Sequence, residues 1–181
     1  AHLDLAYNAL ILGRDLCSPI EAIRAREREL PPPLESGTCL VSIPALLEGH
    51  AAVWGSIFVP PDWERSTDEP VVYHDADEAH LHGAAQLDYY RCLADEMPSV
   101  VLLQTASDLE AALASWRAGV PQLGLFVVME GADPIRTPDE LEWWVERGLR
   151  GVGLSWSAGT RYAGGNARPG PLTADGQALL K

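Results

Sequence analysis

Three short apolar runs, each bounded by glycine or proline, constrain the fold of this chain more than any other feature of its sequence. They cover residues 51–59, 123–129 and 151–155, and segments with helical patterns lie between them. Regular alternation of helices with apolar, β-prone runs is typical of α/β proteins that have a mostly parallel sheet. We therefore predict an α/β fold, with further strands over residues 2–6 and 100–103.

Helix starts are indicated by capping-box spacing, in which a hydroxyl residue precedes a glutamate by three positions and both side chains satisfy backbone amides. This spacing begins at Ser18, Ser107 and Thr137, and Gly148 is expected to end the last of these helices. A fourth helix is predicted over residues 77–94, with a buried stripe formed by Leu81, Ala84, Ala85 and Tyr89.

Two proline-containing segments interrupt this pattern without dividing the chain. Pro31, Pro32 and Pro33 predict a rigid break after the first helix, and the acidic residues 60–78 predict a solvated loop. Because no internal repeat or low-complexity tract is present, we predict a single domain over residues 1–181.

Charge and cysteine content restrict the partners and the compartment. The 181 residues carry a formal net charge of -13, from 26 acidic and 13 basic residues. Phosphate binding needs clustered cations, so we predict no nucleic-acid partner, and no apolar run reaches the roughly 18 residues of a membrane span. The cysteines form no CxxC pair and indicate reduced core thiols and a cytoplasmic location; they are Cys17, Cys39 and Cys92.

The sharpest chemical signal is the pair His2 and Asp4 on the first predicted strand. Side chains two positions apart on a strand point to the same face, so an imidazole and a carboxylate would project side by side. Zinc takes histidine nitrogen and aspartate oxygen at similar distances, so this pair is a candidate for two ligands of one ion. A pair of ordinary surface residues is the alternative interpretation.

Glu130 is the second signal, because it follows the apolar run 123–129 directly and precedes Gly131. The carboxyl ends of strands are where α/β barrels and open parallel sheets have their active sites. A carboxylate that accepts hydrogen bonds from loop amides is the alternative. Trp156 follows the strand predicted at residues 151–155 and is expected at the same rim.

The remaining patterns predict no further chemistry. His80 and His82 are two positions apart on a predicted helix, which sends their rings to different faces and favours a solvated pair. The sequence contains no P-loop, GxGxxG or GxSxG motif, so nothing supports nucleotide binding or serine hydrolysis.

Five short motifs follow one another along nearly the whole chain. They are Ala1-His-Leu-Asp-Leu5, Ser42-Ile-Pro-Ala-Leu46 with residues 49–56, Val128-Met-Glu-Gly131, Gly148-Leu-Arg-Gly-Val-Gly-Leu-Ser-Trp156, and Pro171-Leu-Thr-Ala-Asp-Gly176. The first is similar to Gly-His-Asn-Asp-Leu and the third to Ile/Val-Glu-Gly, two motifs of the membrane (renal) dipeptidase family of zinc metallopeptidases. In this order the five segments resemble that family.

The resemblance implies a (β/α)8 TIM-type barrel, of which residues 1–181 supply roughly the first half, with two zinc ions at the carboxyl rim. It implies that His2 and Asp4 hold one zinc ion and that Glu130 bridges both. The implied activity is hydrolysis of dipeptides by a hydroxide that the two ions share, because two cations lower the pKa of a shared water. It also implies that Asp4 handles the proton passed to the leaving amine and that Trp156 contacts the substrate.

Two departures from the family pattern bear on activity. The best-known members carry a histidine where this chain has Trp156, which affects the substrate range and the stabilisation of the tetrahedral intermediate. The family's two other zinc-ligating histidines, and the arginine that grips the substrate carboxylate, lie on later strands, beyond residue 181. We therefore expect a segment of a longer polypeptide, or association with the missing half or with another copy of this chain.

Two other functions stay open on these observations. One is a related barrel metallohydrolase that acts on another amide or ester. The other is a catalytically inactive relative that keeps the fold as an interaction or structural module. This second alternative is favoured by Trp156 and by the position of the remaining family ligands beyond residue 181.

Overall fold

The computed structural model of the protein describes residues 1–30, 37–63 and 70–181. The break predicted at Pro31, Pro32 and Pro33 lies outside these residues, and so does the middle of the loop predicted over residues 60–78. That loop ends earlier than predicted, because a helix already begins at Ala76.

Five strands pair in parallel and form one sheet. They are β1 (His2–Leu3), β2 (Ala52–Phe58), β3 (Val100–Leu102), β4 (Leu123–Glu130) and β5 (Leu149–Gly153). Strand β4 pairs with β2 along one edge, while its other edge pairs first with β3 and then with β5. This arrangement confirms the predicted α/β class with a parallel sheet. The described strands form an open sheet and not a closed barrel.

Helices connect every pair of successive strands. The described residues contain α1 (Leu5–Leu10), α2 (Ile20–Glu27), α3 (Ile43–Glu48), α4 (Ala76–Glu96), α5 (Ala106–Arg117), α6 (Leu141–Glu146) and α7 (Ala174–Leu179). A single 3-10 turn, Pro138–Glu140, precedes α6. Gly148 has a φ of 116° just after α6, in agreement with its predicted role at the end of that helix.

The helix caps differ in detail from the predicted ones. At α5 the capping box consists of Thr105 and Asp108, two residues before the predicted Ser107. The Ser18 hydroxyl donates to an aspartate three residues earlier, and Thr137 makes no side-chain hydrogen bond to the turn that it precedes. The hydroxyl-to-acid spacing therefore indicated where helices begin only to within about one turn.

Helix α4 packs on the sheet with a different face from the predicted one. Leu81 is 67% exposed and Ala85 is exposed as well, so their assignment to the buried stripe was wrong. Gln86 takes a core position because its side-chain amide accepts from the Phe58 N–H and donates to the Phe58 carbonyl oxygen, at 2.9 and 2.6 Å. Gly83 lies so close to Pro134 that an added Cβ would come within 2.7 Å of it. The buried residues are Ala79, Gly83, Gln86, Leu87, Tyr90 and Leu93.

Burial alternates along β4 and distinguishes a core face of the sheet from a more open face. The core face carries the fully buried Leu123, Leu125, Val127 and Met129. The open face carries the half-buried Phe126, Val128 and Glu130. Trp54 of β2 lies on this open face beside Phe126 and is 56% exposed. The predicted site residues belong to this face.

No disulfide links the three cysteines, as predicted, but only Cys39 is a core thiol, since Cys17 and Cys92 are exposed. Among the described helices, none combines the length and the apolar character needed to cross a membrane.

Candidate metal centre

The three predicted metal ligands lie together at the carboxyl end of β4. His2, Asp4 and Glu130 each offer one ligand atom, and these atoms lie within 4.8 Å of one another. His2 Nε2 is 3.7 Å from Glu130 Oε2, and the two side chains are 39% and 29% exposed, so the group is accessible from solvent. Within residues 1–30, 37–63 and 70–181, no other set of three such side chains comes together in this way.

His2 and Asp4 reach the centre from a shorter strand than predicted. The strand expected over residues 2–6 contains only His2 and Leu3, because α1 begins two residues later. His2 is the register partner of Trp54 on β2, which directs its imidazole to the open face. Asp4 is the N-cap residue of α1, but its side chain makes no capping hydrogen bond, so the carboxylate can turn towards the centre.

Glu130 is the last residue of β4, at the strand end where an acid was predicted. Its register partner is Phe58, the last residue of β2. Gly131 follows with a φ of 87°, a backbone conformation that favours glycine, and its N–H donates to the Gly153 carbonyl oxygen at 3.1 Å. The chain therefore turns immediately after Glu130 and leaves its carboxylate at the rim of the sheet.

The electrostatics of the group favour a bound cation. Burial raises the pKa of the Glu130 carboxyl above its ordinary value, while the nearby His2 lowers this pKa and the Asp4 carboxylate raises it. A neighbouring carboxylate in a partly desolvated place disfavours the charged form of Glu130. A divalent cation between the two carboxylates would relieve this repulsion.

Two residues that were given no role in the sequence analysis, Ser56 and Tyr90, support Asp4. The Ser56 hydroxyl donates a hydrogen bond to Asp4 Oδ1. The Tyr90 hydroxyl donates to the Ser56 carbonyl oxygen at 2.8 Å and accepts from the Ala6 N–H at 3.2 Å. Ser56 belongs to a segment that resembles the dipeptidase family, but its partner lies 52 positions earlier, which no local pattern reveals.

Trp156 packs next to two other aromatic rings, one of which is the sheet neighbour of Glu130. Its ring meets Phe58 edge-on with centroids 4.9 Å apart, and Phe58 meets Tyr7 at 5.4 Å. Because Phe58 pairs with Glu130 in the sheet, these three rings form an aromatic cluster near the carboxylate. The strand before Trp156 ends at Gly153, two residues before the predicted end.

His80 and His74 make contacts away from the candidate ligands. His80 is part-buried and not solvated as predicted, since its ring contacts Trp143 and Trp144 at 5.2 and 5.3 Å and its Nδ1 is 3.1 Å from the Pro134 carbonyl oxygen. His74 pairs on the surface with a glutamate four positions later, at 2.8 Å. These contacts are structural and do not extend the ligand group.

The donor set fits a divalent metal ion such as zinc. Imidazole nitrogen and carboxylate oxygen are ligands that zinc takes in proteins. The Ser56 hydroxyl on Asp4 is the kind of supporting hydrogen bond that orients a ligating carboxylate. His2, Asp4 and Glu130 are the residues that would hold the ion.

Comparisons of the sequence find no matching protein family and no matching curated protein. Among solved structures, the chain is similar to a metallo peptidase from Rhodobacter sphaeroides liganded with a phosphinate mimic of the dipeptide L-Ala-D-Ala. The TM-score is 0.66 at 20% identity, over 99% of this chain and 53% of that one. It is also similar to the probable dipeptidase PvdM from Pseudomonas aeruginosa, with a TM-score of 0.58 at 19% identity, over 77% of this chain and 36% of that one.

These likenesses concern the fold. The chain spans about half the length of the first protein and about a third of the second. Both are peptidases by name. The similar part includes most of this chain in each comparison. The resemblance to dipeptidases predicted from five sequence motifs is therefore confirmed in the structure, where the chain folds like part of a dipeptidase-type metallopeptidase.

Proposed function

We propose that residues 1–181 carry part of the zinc centre of a peptidase that hydrolyses dipeptides. The observation that carries this proposal is the convergence of His2, Asp4 and Glu130 at the carboxyl end of a parallel sheet. Two peptidases with a similar fold support it, one of them described with a mimic of a dipeptide. Zinc is the metal we propose, because it accepts this mixture of nitrogen and oxygen ligands.

The three ligands have distinct parts in the proposed centre. When bound, the metal supplies Lewis acidity and makes a water molecule more acidic. Glu130 offers a carboxylate from the rigid end of β4, and His2 offers an imidazole from β1. Asp4 would be the third ligand, and its carboxylate would also handle the proton passed to the leaving amine.

Trp156, part-exposed and packed on the buried rings of Phe58 and Tyr7, is the proposed substrate-binding residue. Its accessible part can pack against a side chain of a dipeptide, while the two buried rings hold it in place. The indole of Trp156 has one N–H donor and no acceptor, so it can contact a substrate oxygen but cannot exchange a proton as a histidine does. This difference affects stabilisation of the intermediate more than metal binding.

We also propose that protein outside these residues completes the centre, with residues 1–181 forming one domain. Three ligands come from β1, the start of α1 and β4, and the similar structures extend well beyond the segment that they share with this chain. Further ligands and a group for the substrate carboxylate would come from more of the same chain or from a second polypeptide, such as another copy.

Elemental analysis of the full-length protein, purified without added metal, tests the proposal. We expect bound zinc and hydrolysis of dipeptides in the wild type. Glu130→Gln should lose both, because glutamine keeps the shape of the ligand and removes its charge. Glu110→Gln is the matched control, since Glu110 is exposed on α5 and outside the ligand group.

The outcomes separate the proposed function from its alternatives. Zinc bound without hydrolysis of any dipeptide would favour a metallohydrolase for another amide or ester. A wild type with neither zinc nor hydrolysis would contradict the proposal and favour an inactive interaction module.

A further inference from the structure

The Asp4 carboxylate is held by a residue outside the ligand group. An aspartate at an N-cap usually accepts hydrogen bonds from amides of the first helical turn, which stabilises the helix. Asp4 makes no such bond with α1. Its Oδ1 atom accepts a hydrogen bond from the Ser56 hydroxyl instead. The local preference for a cap has been overridden by a contact with β2.

Ser56 is placed for this contact by the sheet itself. The register that pairs Leu3 with Gly55 brings the next residue along each segment close together, so Asp4, just after β1, meets Ser56 of β2. Ser56 is completely buried, at 0% exposed, and a buried hydroxyl requires a hydrogen-bond partner. The Ser56 hydroxyl bonds to Oδ1 of Asp4, so Oδ2 is the oxygen that this hydrogen bond leaves available to a metal ion.

Tyr90 fixes the segment of β2 that carries Ser56. Its hydroxyl bridges the Ser56 carbonyl oxygen and the Ala6 N–H, and so joins β2 to the helix that starts after Asp4. The ring reaches this position over Gly55, where a Cβ would come within 2.7 Å of it. The fully buried Tyr90 side chain therefore links β2 to the first turn of α1.

The backbone of Asp4 is fixed as well. Asn8 donates to the Asp4 carbonyl oxygen both from its backbone N–H, at 2.9 Å, and from its side-chain amide, at 2.8 Å. The Asn8 side chain accepts in turn from Arg14, which is paired with the buried Glu27 at 2.8 Å. With the backbone held from one side, the Ser56 hydroxyl is the group that orients the carboxylate.

We propose that Ser56 is a positioning residue for the metal ligand Asp4, and that Tyr90 fixes the part of β2 from which Ser56 acts. The inference rests on the proposed function, because it requires Asp4 to bind metal. Hydrogen bonds of this kind orient a ligand before the ion arrives, and their loss typically lowers metal affinity by about 10- to 100-fold.

The test is the zinc dissociation constant, measured by competition with a chromophoric chelator. We expect Ser56→Ala to weaken zinc binding about 10- to 100-fold. Ser42→Ala is the matched control, because Ser42 is equally buried but caps α3 instead of contacting Asp4, and it should bind zinc like the wild type. Thermal unfolding of the metal-free proteins checks that each variant folds.

An isosteric pair keeps the test decisive if Ser56→Ala does not fold. Ser56→Thr and Ser56→Val introduce the same shape with and without a hydroxyl, so their difference reports the hydrogen bond and not the packing. We expect the threonine variant to bind zinc at least about 10-fold more tightly than the valine variant.

Each outcome bears on one proposal or the other. Equal zinc binding by the wild type and Ser56→Ala, or by the threonine and valine variants, would overturn the role of Ser56 and leave the proposed function intact. An equal loss of zinc affinity in Ser42→Ala would also overturn the role of Ser56, because removal of any buried serine hydroxyl would then have the same effect. A wild type that binds no zinc would overturn the proposed function and this inference together.

Discussion

Glu130 is half-buried at the end of β4, with His2 and Asp4 as its charged neighbours. Burial is the main cause that raises the pKa of its carboxyl above the ordinary 4.5. A carboxyl with a raised pKa in the folded state stabilises the fold while it is protonated. This contribution is complete below the ordinary pKa and is lost as the pH rises through the raised one.

We expect Glu130→Gln to change how the stability of the metal-free protein depends on pH. Glutamine does not titrate, so the wild type should gain stability relative to the variant as the pH is lowered from about 7 towards about 4.5. Denaturant unfolding in the presence of a chelator measures the difference, with Glu110→Gln as the control. If the stability of the wild type and of Glu130→Gln changed with pH in the same way, the pKa of the Glu130 carboxyl would not be raised by folding.

The candidate ligands could be named from the sequence, but the residues that hold them in place could not. His2, Asp4 and Glu130 are residue types with few roles at strand ends, and their positions beside apolar runs are local features. Ser56 and Tyr90 are common residue types, and their hydrogen bonds cross 52 and 34 positions of the chain. Only folding brings these partners together.

Among the structural elements, β4 followed the sequence more closely than α5. Strand β4 occupies the predicted run and extends it by one residue, because an apolar run has few alternatives to burial in a sheet. Helix α5 begins after Thr105 and not after Ser107, although both precede an acid by three positions. The two possible caps have the same spacing and lie two residues apart, so the sequence pattern does not distinguish them.

The turn after β4 provides a prediction at this scale. We expect Gly131→Ala to lower the free energy of unfolding by about 1–2 kcal/mol, because its φ of 87° is strained for alanine. Zinc affinity should also fall, since the turn begins directly after Glu130. Gly119→Ala is the control: Gly119 has a φ of 76° and open space around it, beyond the end of α5.

Chemical denaturation and zinc titration of both glycine variants give the answer. The two substitutions should cost similar stability, and only Gly131→Ala should weaken zinc binding. If both variants lost zinc affinity, or if both kept it, the turn would not be what positions Glu130.

In the whole molecule, Tyr90 connects the long helix α4 to β2 and α1. Its hydroxyl satisfies one buried carbonyl and one backbone amide, and its ring packs directly over Gly55. The strand with the supporting serine and the helix next to Asp4 therefore depend on one side chain. Burial raises the pKa of the Tyr90 hydroxyl, so it stays protonated and able to donate.

We expect Tyr90→Phe to lower the free energy of unfolding by about 1–3 kcal/mol, because it leaves the Ser56 carbonyl and the Ala6 N–H buried without this partner. Tyr89→Phe, at the neighbouring half-buried position, is the control and should have a smaller effect. Equilibrium unfolding in urea measures both. Equal stabilities of the wild type and Tyr90→Phe would show that the hydroxyl does not join these elements.

The sequence by itself determined the α/β class and the place of Glu130 at a strand end, because local periodicity and chain direction specify both. The tertiary structure alone decided the order of the strands, the turn of Asp4 away from its helix towards Ser56, and the use of Gly83 and Gln86 by α4 where Leu81 was expected. These features depend on contacts between residues far apart in the chain, whose energies outweigh local preferences only once the chain has folded.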